Sequence, residues 1–557
     1  MQRRKFIKLS ASSLALLLAD KLVAGCDTPW HRIGLPDEVW ILCGGEWTLL
    51  KLSGDSTYTY LDMQVSLATL PDTVSVELQA PHSAVKKIRL KWKYTPAKGA
   101  ISLGDHWERS YGDLAWRSPE QGRKEPWYLL LHDSRDTVGF GVKTGCNAFC
   151  WWTIGPRDLE LTMDTRSAGI GVELGGRKLH VADILTIRSK EEETPFMTAR
   201  RFCSLMCTAP RLPEMPVYGI NDWYFAYGNN SPQLILEQTK LMTDLAEDNG
   251  NRPFSVIDAG WAEYSPLLPG DSGWQDDFSK PNQKFGDMQK LAADIKKERM
   301  RPGLWTRPLC ARHDDKPSLL LPSIPGRDNP KNPILDPTIE ENLERVKRNI
   351  GIYKEWGFEL VKHDFSTYDI TGKWGFEMEE TITVPGWSFM DKTKTTAEVI
   401  KILYQSIRDA AGDIYLLGCN TVSHLSAGLF EINRIGDDTS GKEWSRTLKM
   451  GVNTLGFRIV QDGHFYATDG DCVGLTKDVA WEKNKQWMQL LAESGTPLFI
   501  SAQPDVLGAE QKSAIRTAFR QAASRQPIGE PLDWLSNPRP SKWKLNNRIV
   551  SFDWNGV

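Results

Sequence analysis

The sequence predicts a multidomain chain, β followed by α/β: an N-terminal β-sandwich, a (β/α)8 TIM barrel, then a short C-terminal β-element. Three observations carry this. Up to about residue 210, short runs of β-branched and aromatic residues follow one another, punctuated by Gly, Pro, Asn and Asp. From about residue 215, short apolar strands alternate with amphipathic helical stretches. The length, 557 residues, exceeds what one hydrophobic core serves.

In the first region the strand candidates are residues 38–50, 73–78, 87–94, 127–131, 137–144, 159–163 and 179–187, with no convincing helix between them. That is the signature of a sandwich spanning residues 30–210. In the second, eight strand candidates (217–220, 254–258, 302–306, 358–365, 414–419, 431–436, 465–472 and 497–501) are mostly separated by helical stretches at 232–248, 285–300, 339–356, 395–411 and 480–494. This bounds a barrel at residues 211–507, its sixth and seventh units being the least regular. After a helix at 509–523, a Pro-rich segment leads to a strand at 547–554. Residues 508–557 are too few for an independent domain, and read either as a small β-element packed on the barrel or as a truncated piece of something longer.

The first 26 residues read as an address. Arg3-Arg4-Lys5-Phe6-Ile7-Lys8 resembles a twin-arginine export motif, and a small, apolar run follows at residues 9–19. Val23-Ala24-Gly25-Cys26 matches a lipobox, in which Cys26 is acylated. The expectation is an exported bacterial lipoprotein facing the periplasm or the cell surface, held to a membrane through Cys26. Of the other eight cysteines, Cys146/Cys150 and Cys203/Cys207 match neither zinc-ribbon nor redox spacing, so disulfides and buried thiols both stay open. The charge is balanced, 68 basic against 71 acidic residues, which leaves no footprint for nucleic acid. The 22 tryptophans suit sugar binding, but core packing accounts for most of them.

Barrel enzymes carry their chemistry at the C-terminal ends of strands. On the fourth strand Lys362 and Asp364 are two apart and share a face, placing an ammonium where it keeps a carboxylate ionised, as a nucleophile requires. On the sixth, Arg434 precedes Asp437 and Asp438, one of which would be a general acid with its pKa raised by the adjacent negative charge and by burial. Asp258 ends the second strand and Trp305 the third, natural positions for a carboxylate that grips hydroxyls and for an aromatic wall. Asp469 and Asp471 fit a loop-structural role as well as a binding one. His363 neighbours the nucleophile but faces the other way, so packing suits it better than catalysis. No cluster of His, Cys and acids has metal-ligand spacing, and no cofactor is called for.

From about residue 219 to 507 the chain resembles clan D glycoside hydrolases, family 36 above all, the bacterial α-galactosidase type. Seven segments carry the resemblance: Asp222-Trp223-Tyr224, Val256-Ile257-Asp258-Ala259-Gly260-Trp261, Pro302-Gly303-Leu304-Trp305-Thr306-Arg307-Pro308, Val361-Lys362-His363-Asp364-Phe365, Leu417-Gly418-Cys419-Asn420, Arg434-Ile435-Gly436-Asp437-Asp438-Thr439 and Thr468-Asp469-Gly470-Asp471-Cys472. Each is weak alone; together, in order, they are specific. The resemblance implies Asp364 as nucleophile and Asp438 as acid/base, with Asp437 standing where the family has proline, so that a one-residue shift would exchange the two. It further implies that Lys362 and Arg434 bind hydroxyls, that Trp305 is a platform, and that Cys419 and Asn420 line the pocket.

Two features depart from the family. Ala259 replaces the second aspartate of an Asp-Asp pair that helps grip an axial hydroxyl, which bears on the glycone. The usual C-terminal sandwich is nearly missing, while the loop at 307–337 is long and charged and expected to shape the rim. The implied function is a retaining exo-glycosidase releasing α-linked galactose or a galactose-like sugar. The alternatives are an α-N-acetylgalactosaminidase or other altered-glycone relative, and a non-catalytic glycan-binding lipoprotein.

Overall fold

The computed structural model describes residues 33–248, 250–264, 275–327, 333–378 and 381–555. The export segment and Cys26 therefore lie outside the described residues. Two antiparallel sheets come first. The six-stranded one runs Trp47–Leu49, Glu38–Leu42, Lys87–Lys93, Asp158–Asp164, Phe149–Ile154, Glu125–Pro126 in spatial order. The eight-stranded one runs Lys51–Leu52, Thr57–Tyr60, Met63–Thr69, Val74–Gln79, Leu179–Arg188, Thr137–Val142, Tyr128–His132, Ile101–Gly104. Burial alternates along the strands, as in Val74–Gln79 and Lys87–Lys93. Val39, Ile41, Ile88 and Leu90 of one sheet share a buried cluster with Val65, Leu67, Val76 and Leu78 of the other.

One expectation fails in this region. A helix, Pro195–Met206, follows the last strand where only strands were read. Its start is conventional: the Thr194 hydroxyl accepts from the Met197 N–H, and Pro195 opens the first turn. Phe196, Ala199, Phe202, Cys203 and Met206 form its buried face. That face packs against the strand Thr137–Val142, where a Cβ on Gly139 would come within 2.8 Å of the Phe202 ring. Twelve residues ahead of a Pro-rich stretch give a helical period little room to declare itself.

The second region holds a curled, nine-stranded parallel sheet. Its order is Ala467–Asp469, Ile432–Arg434, Tyr415–Gly418, Leu360–His363, Arg301–Thr306, Phe254–Ile257, Tyr218–Asn221, Leu498–Ala502, Cys472–Leu475. The two end strands are neighbours in the chain, separated only by Gly470 and Asp471, and Asp471 has a left-handed φ of 73°. Helices Pro232–Thr243, Met288–Lys297, Glu340–Glu355, Thr396–Ala411 and Trp481–Glu493 lie where the periodicity puts them. The sixth connection differs from expectation: residues 444–461 form a continuous helical run with a π-helical turn at Leu448–Asn453. A final hairpin, Lys542–Leu545 with Arg548–Ser551, turns at Asn546 and Asn547, both left-handed, and pairs with Glu530–Pro531. Trp534, Trp543 and Trp554 bury this element in the main core.

Candidate active site

Both faces of the parallel strands are buried, and the side chains divide by parity. Tyr218, Ile220, Ile257, Leu304, Val361, Leu416 and Ile500 join the main core beneath the helices. The alternate residues Val217, Phe254, Val256, Leu360, Tyr415, Leu417, Ile432, Cys472 and Phe499 form a separate cluster. Followed toward the carboxyl ends of the strands, this second set turns polar at the same level everywhere: Phe254-Val256-Asp258, Leu360-Lys362-Asp364, Tyr415-Leu417-Cys419 and Ile432-Arg434. The period-2 alternation of a strand thus delivers the predicted site residues to one end of the sheet.

Asp364 follows its strand immediately and is half-buried. Trp305 Nε1 donates to its Oδ2 at 3.0 Å and the Phe365 N–H to its Oδ1 at 2.7 Å. Phe365 has a left-handed φ of 65°, uncommon for an aromatic residue, and its ring lies 4.6 Å from the Arg307 guanidinium. Trp305 is 2 % exposed, so what it presents to the site is its N–H, not an open stacking face.

Lys362 differs from the sequence reading in its partner. Its ammonium binds Asp258 Oδ2 at 2.6 Å, and Asp258 also accepts from Asn221 Nδ2 at 2.9 Å. The Asp258 N–H donates to the buried carboxyl of Asp222, 2.8 Å away. Burial, with the Asp258 charge beside it, pushes Asp222 up to about 7. His363 is fully buried between Tyr404 and Phe430, and burial drives its pKa down to about 3, leaving it a neutral packing residue.

At the sixth strand, Arg434 holds Asp438 Oδ1 at 2.7 Å and Asp471 Oδ1 at 3.0 Å. It also reaches Cys419 Sγ at 3.8 Å. Asp471 accepts from the Thr439 N–H at 2.7 Å and from the Tyr224 hydroxyl, so this acid is a structural knot at the break between the end strands. Asp469 accepts from the Asp471 N–H and is pushed up to about 6 by burial, with Asp471 adding to the shift.

The electrostatics of Asp438 reverse the expectation of a raised pKa. Burial pulls it upward, but Arg434, Arg109 and Lys362 outweigh that and hold it near 2. Its side chain is 39 % exposed, against 20 % for Asp437. Asp437 is gripped on both oxygens, by Arg109 at 3.1 Å and Arg446 at 2.7 Å.

Arg109 is the residue the sequence reading missed. It sits on the 20-residue connection between Ile101–Gly104 and Glu125–Pro126 of the first region. The Ser110 N–H donates to the Ile435 carbonyl at 2.8 Å, and the Asp437 N–H donates to the Ser110 carbonyl at 3.0 Å. The carboxylate of its neighbour Glu108 accepts from Asn420 Nδ2, the Tyr111 hydroxyl and the Gly375 N–H. Asn420 is fully buried and its Oδ1 accepts from the Tyr368 N–H, so its amide ties elements together and is not left for a ligand. The length of that connection, carrying Trp107, Arg109, Tyr111 and Trp116, was the available signal.

The loop after the third strand is tied inward where it is described. Arg307 makes a bidentate pair with buried Asp369, and Arg327 donates to the carbonyls of Asp369 and Ile370. Cys146, Cys150, Cys203 and Cys207 are buried thiols. Among the described residues no group of three or more His, Cys, Asp or Glu side chains is arranged to hold a metal ion.

No family model and no curated relative matches the chain. Solved structures do. The α-galactosidase TtGalA of Thermus thermophilus, in complex with p-nitrophenyl α-D-galactopyranoside, superposes with a TM-score of 0.60 at 18 % identity, covering 92 % of this chain and 98 % of that one. The GH36 α-galactosidase AgaA A355E of Geobacillus stearothermophilus, in complex with 1-deoxygalactonojirimycin, gives 0.60 at 13 %, covering 88 % and 72 %. The galactosidase domain of the α-galactosidase–sucrose kinase AgaSK gives 0.56 at 15 %, covering 84 % and 67 %. At these identities the likeness is one of fold, and the fold is that of the GH36 α-galactosidases.

Proposed function

We propose that the chain is a retaining α-glycosidase acting on α-galactosides or closely related sugars, with Asp364 as nucleophile and Asp438 as acid/base. The observation that carries this is the pair of half-buried carboxylates at one end of the parallel sheet, Asp364 held by Trp305 and the Phe365 N–H, Asp438 by Arg434. The likeness to GH36 folds supports it. We read the two antiparallel sheets as a β-sandwich, and the parallel sheet as a (β/α)8 barrel whose seventh strand is broken at Gly470 and Asp471. Domain limits of 30–210 and 211–507, with a C-terminal element from 508, follow from that reading.

In the mechanism, Asp364 Oδ attacks the anomeric carbon while Asp438 gives a proton to the departing oxygen. The C1–O bond breaks as the C1–Asp364 bond forms. Asp438, now ionised, takes a proton from water, which displaces Asp364 and regenerates both carboxyl groups. Two inversions give retention. Trp305 and the Phe365 N–H stabilise Asp364 as the anion it must be before attack and after release. Asp438 poses the harder requirement, since it is ionised in the empty site. A neutral sugar covering it removes water and raises its proton affinity. The fraction protonated in the free protein grows as pH falls, so kcat/KM on unactivated leaving groups rises below neutral pH, and the optimum lies on the acid side.

The test is nitrophenol release from a panel of nitrophenyl α-glycosides, with Asp364→Ala and Asp438→Ala in parallel. Turnover of the α-galactoside, abolished by Asp364→Ala and restored to Asp438→Ala by azide, is the expected result. A second reading, an altered glycone such as an N-acetylated one, is favoured by Ala259. At that position the chain offers a methyl group, and the nearby Asp222 carboxyl is already engaged by the Asp258 N–H and Asn230 Nδ2. Turnover of a different α-glycoside selects it. Binding without turnover by the wild type selects a glycan-binding protein instead. Export and lipid anchoring through Cys26 remain part of this proposal, and Cys26→Ser should release the protein from the membrane fraction.

A further inference from the structure

Two consecutive aspartates lie on the loop after the sixth strand, and nothing in their chemistry distinguishes them. Their surroundings do. Asp437 has both oxygens occupied by guanidinium groups, Oδ1 by Arg109 and Oδ2 by Arg446, and its backbone N–H is fixed on the Ser110 carbonyl. Asp438 has Oδ1 on Arg434 and, more distantly, on Arg109 at 3.9 Å; its Oδ2 accepts no hydrogen bond from the described residues. An acid/base needs one such unoccupied oxygen to carry the proton to and from a ligand.

Arg109 is therefore the only cation among these that touches both aspartates, and it comes from the first region of the chain, not from the parallel sheet. It is 4 % exposed and lies 5.4 Å from the Trp374 ring centroid. Its backbone is keyed in place: Ser110 forms a parallel bridge with Gly436, and Arg458 donates to the carbonyls of both Glu108 and Ile435 at 2.8 Å. A Cβ on Gly436 would meet the Met450 carbonyl oxygen at 2.0 Å, so the loop bearing the two aspartates is pinned on its other side by the π-helical turn.

We infer that Arg109 is a positioning residue that selects the acid/base: it holds Asp437 out of the chemistry at 3.1 Å and adds a second guanidinium 3.9 Å from Asp438, reaching both from the first region of the chain. This rests on the function proposed above. Other ionisable groups facing Asp438 include Arg434 and Lys362 on the parallel strands, and Tyr224 and Tyr227 on and just after the short helix Trp223–Ala226. The two tyrosines are neutral near pH 7, since burial raises both. Of the three cations near Asp438, Arg434 is also committed to Asp471 and Lys362 to Asp258, so Arg109 is the one whose removal leaves those pairs intact.

The test is carboxyl NMR of the full-length protein labelled at aspartate Cγ, with the Asp438 resonance assigned by Asp438→Asn. In Arg109→Met its titration midpoint should move up by about one unit, as expected on losing an opposite charge about 4 Å away. Arg109→Lys should restore it. The alkaline limb of kcat/KM for a slow leaving group should move in the same direction. An Asp438 midpoint unchanged in Arg109→Met overturns the inference, and Arg109→Gln serves the same purpose if the methionine variant does not fold. The titration reads out even if the wild type hydrolyses no glycoside. A shifted midpoint with no turnover would refute the proposed reaction while leaving the control of Asp438 by Arg109 standing.

Discussion

Asp364 and Asp438 both follow a strand end, yet their neighbours differ in kind. Asp364 is stabilised by two neutral N–H donors, whereas Asp438 is stabilised by guanidinium charge. Hydrogen bonds to a charged group contribute about 1.5–3 kcal/mol. Trp305→Phe should therefore lower kcat/KM by roughly 10- to 100-fold, measured alongside a melting curve to separate lost packing from the lost donor. Asp222 supplies a pH-dependent prediction. Its folded pKa of about 7 lies above the unfolded value of about 3.9, so the folded chain holds a proton the unfolded chain gives up. That contribution to stability is complete below about pH 4 and is lost as pH rises through 7. Asp222→Ser should flatten the fall in melting temperature between pH 5 and pH 8, and an unchanged slope would count against a buried, protonated Asp222. The charge-bearing residues on the strands could be read from the sequence because parity fixes their face. The partner of Lys362 could not, because Asp258 is 104 residues away and follows a strand separated from that of Lys362 by Arg301–Thr306, so that only the assembled sheet brings the two together.

At the scale of elements, the long helices and most parallel strands followed from periodicity, and the exceptions share a cause. The helix Pro195–Met206, the helical run at 444–461 and the broken end strands are held by tertiary contacts more than by local pattern. For the first, the receiving surface is a pair of glycines, Gly139 and Gly141, whose missing side chains admit Phe202. Gly139→Ala should cost about 1–3 kcal/mol through overpacking, read from denaturant unfolding. No change there would mean the helix can lift without penalty. The connection bearing Arg109 was missed for a related reason: it forms no regular element of its own and is held by contacts with the loop after Ile432–Arg434.

Across the whole molecule, the site is divided between two regions that the sequence separates by some three hundred positions. Asp105, Glu108, Arg109 and Ser110 engage Arg458, Asn420, Asp437 and the Ile435 carbonyl. The first region is in this account a structural part of the site, and a fragment covering only residues 211–557 should show no turnover even where it stays soluble. The change from antiparallel strands to parallel strands alternating with helices could be read from periodicity, but the contact between the two regions depends on surfaces with no periodic signature. The proposed mechanism requires a covalent bond between Asp364 and the sugar. The most direct measurement is peptide mass spectrometry after incubation with an α-galactoside whose ring fluorine slows release of the glycosyl-enzyme. One fluorosugar should be added to the peptide containing Asp364, and none in Asp364→Asn. A protein that turns the reagent over with no adduct, or carries the sugar on another carboxylate, would contradict it.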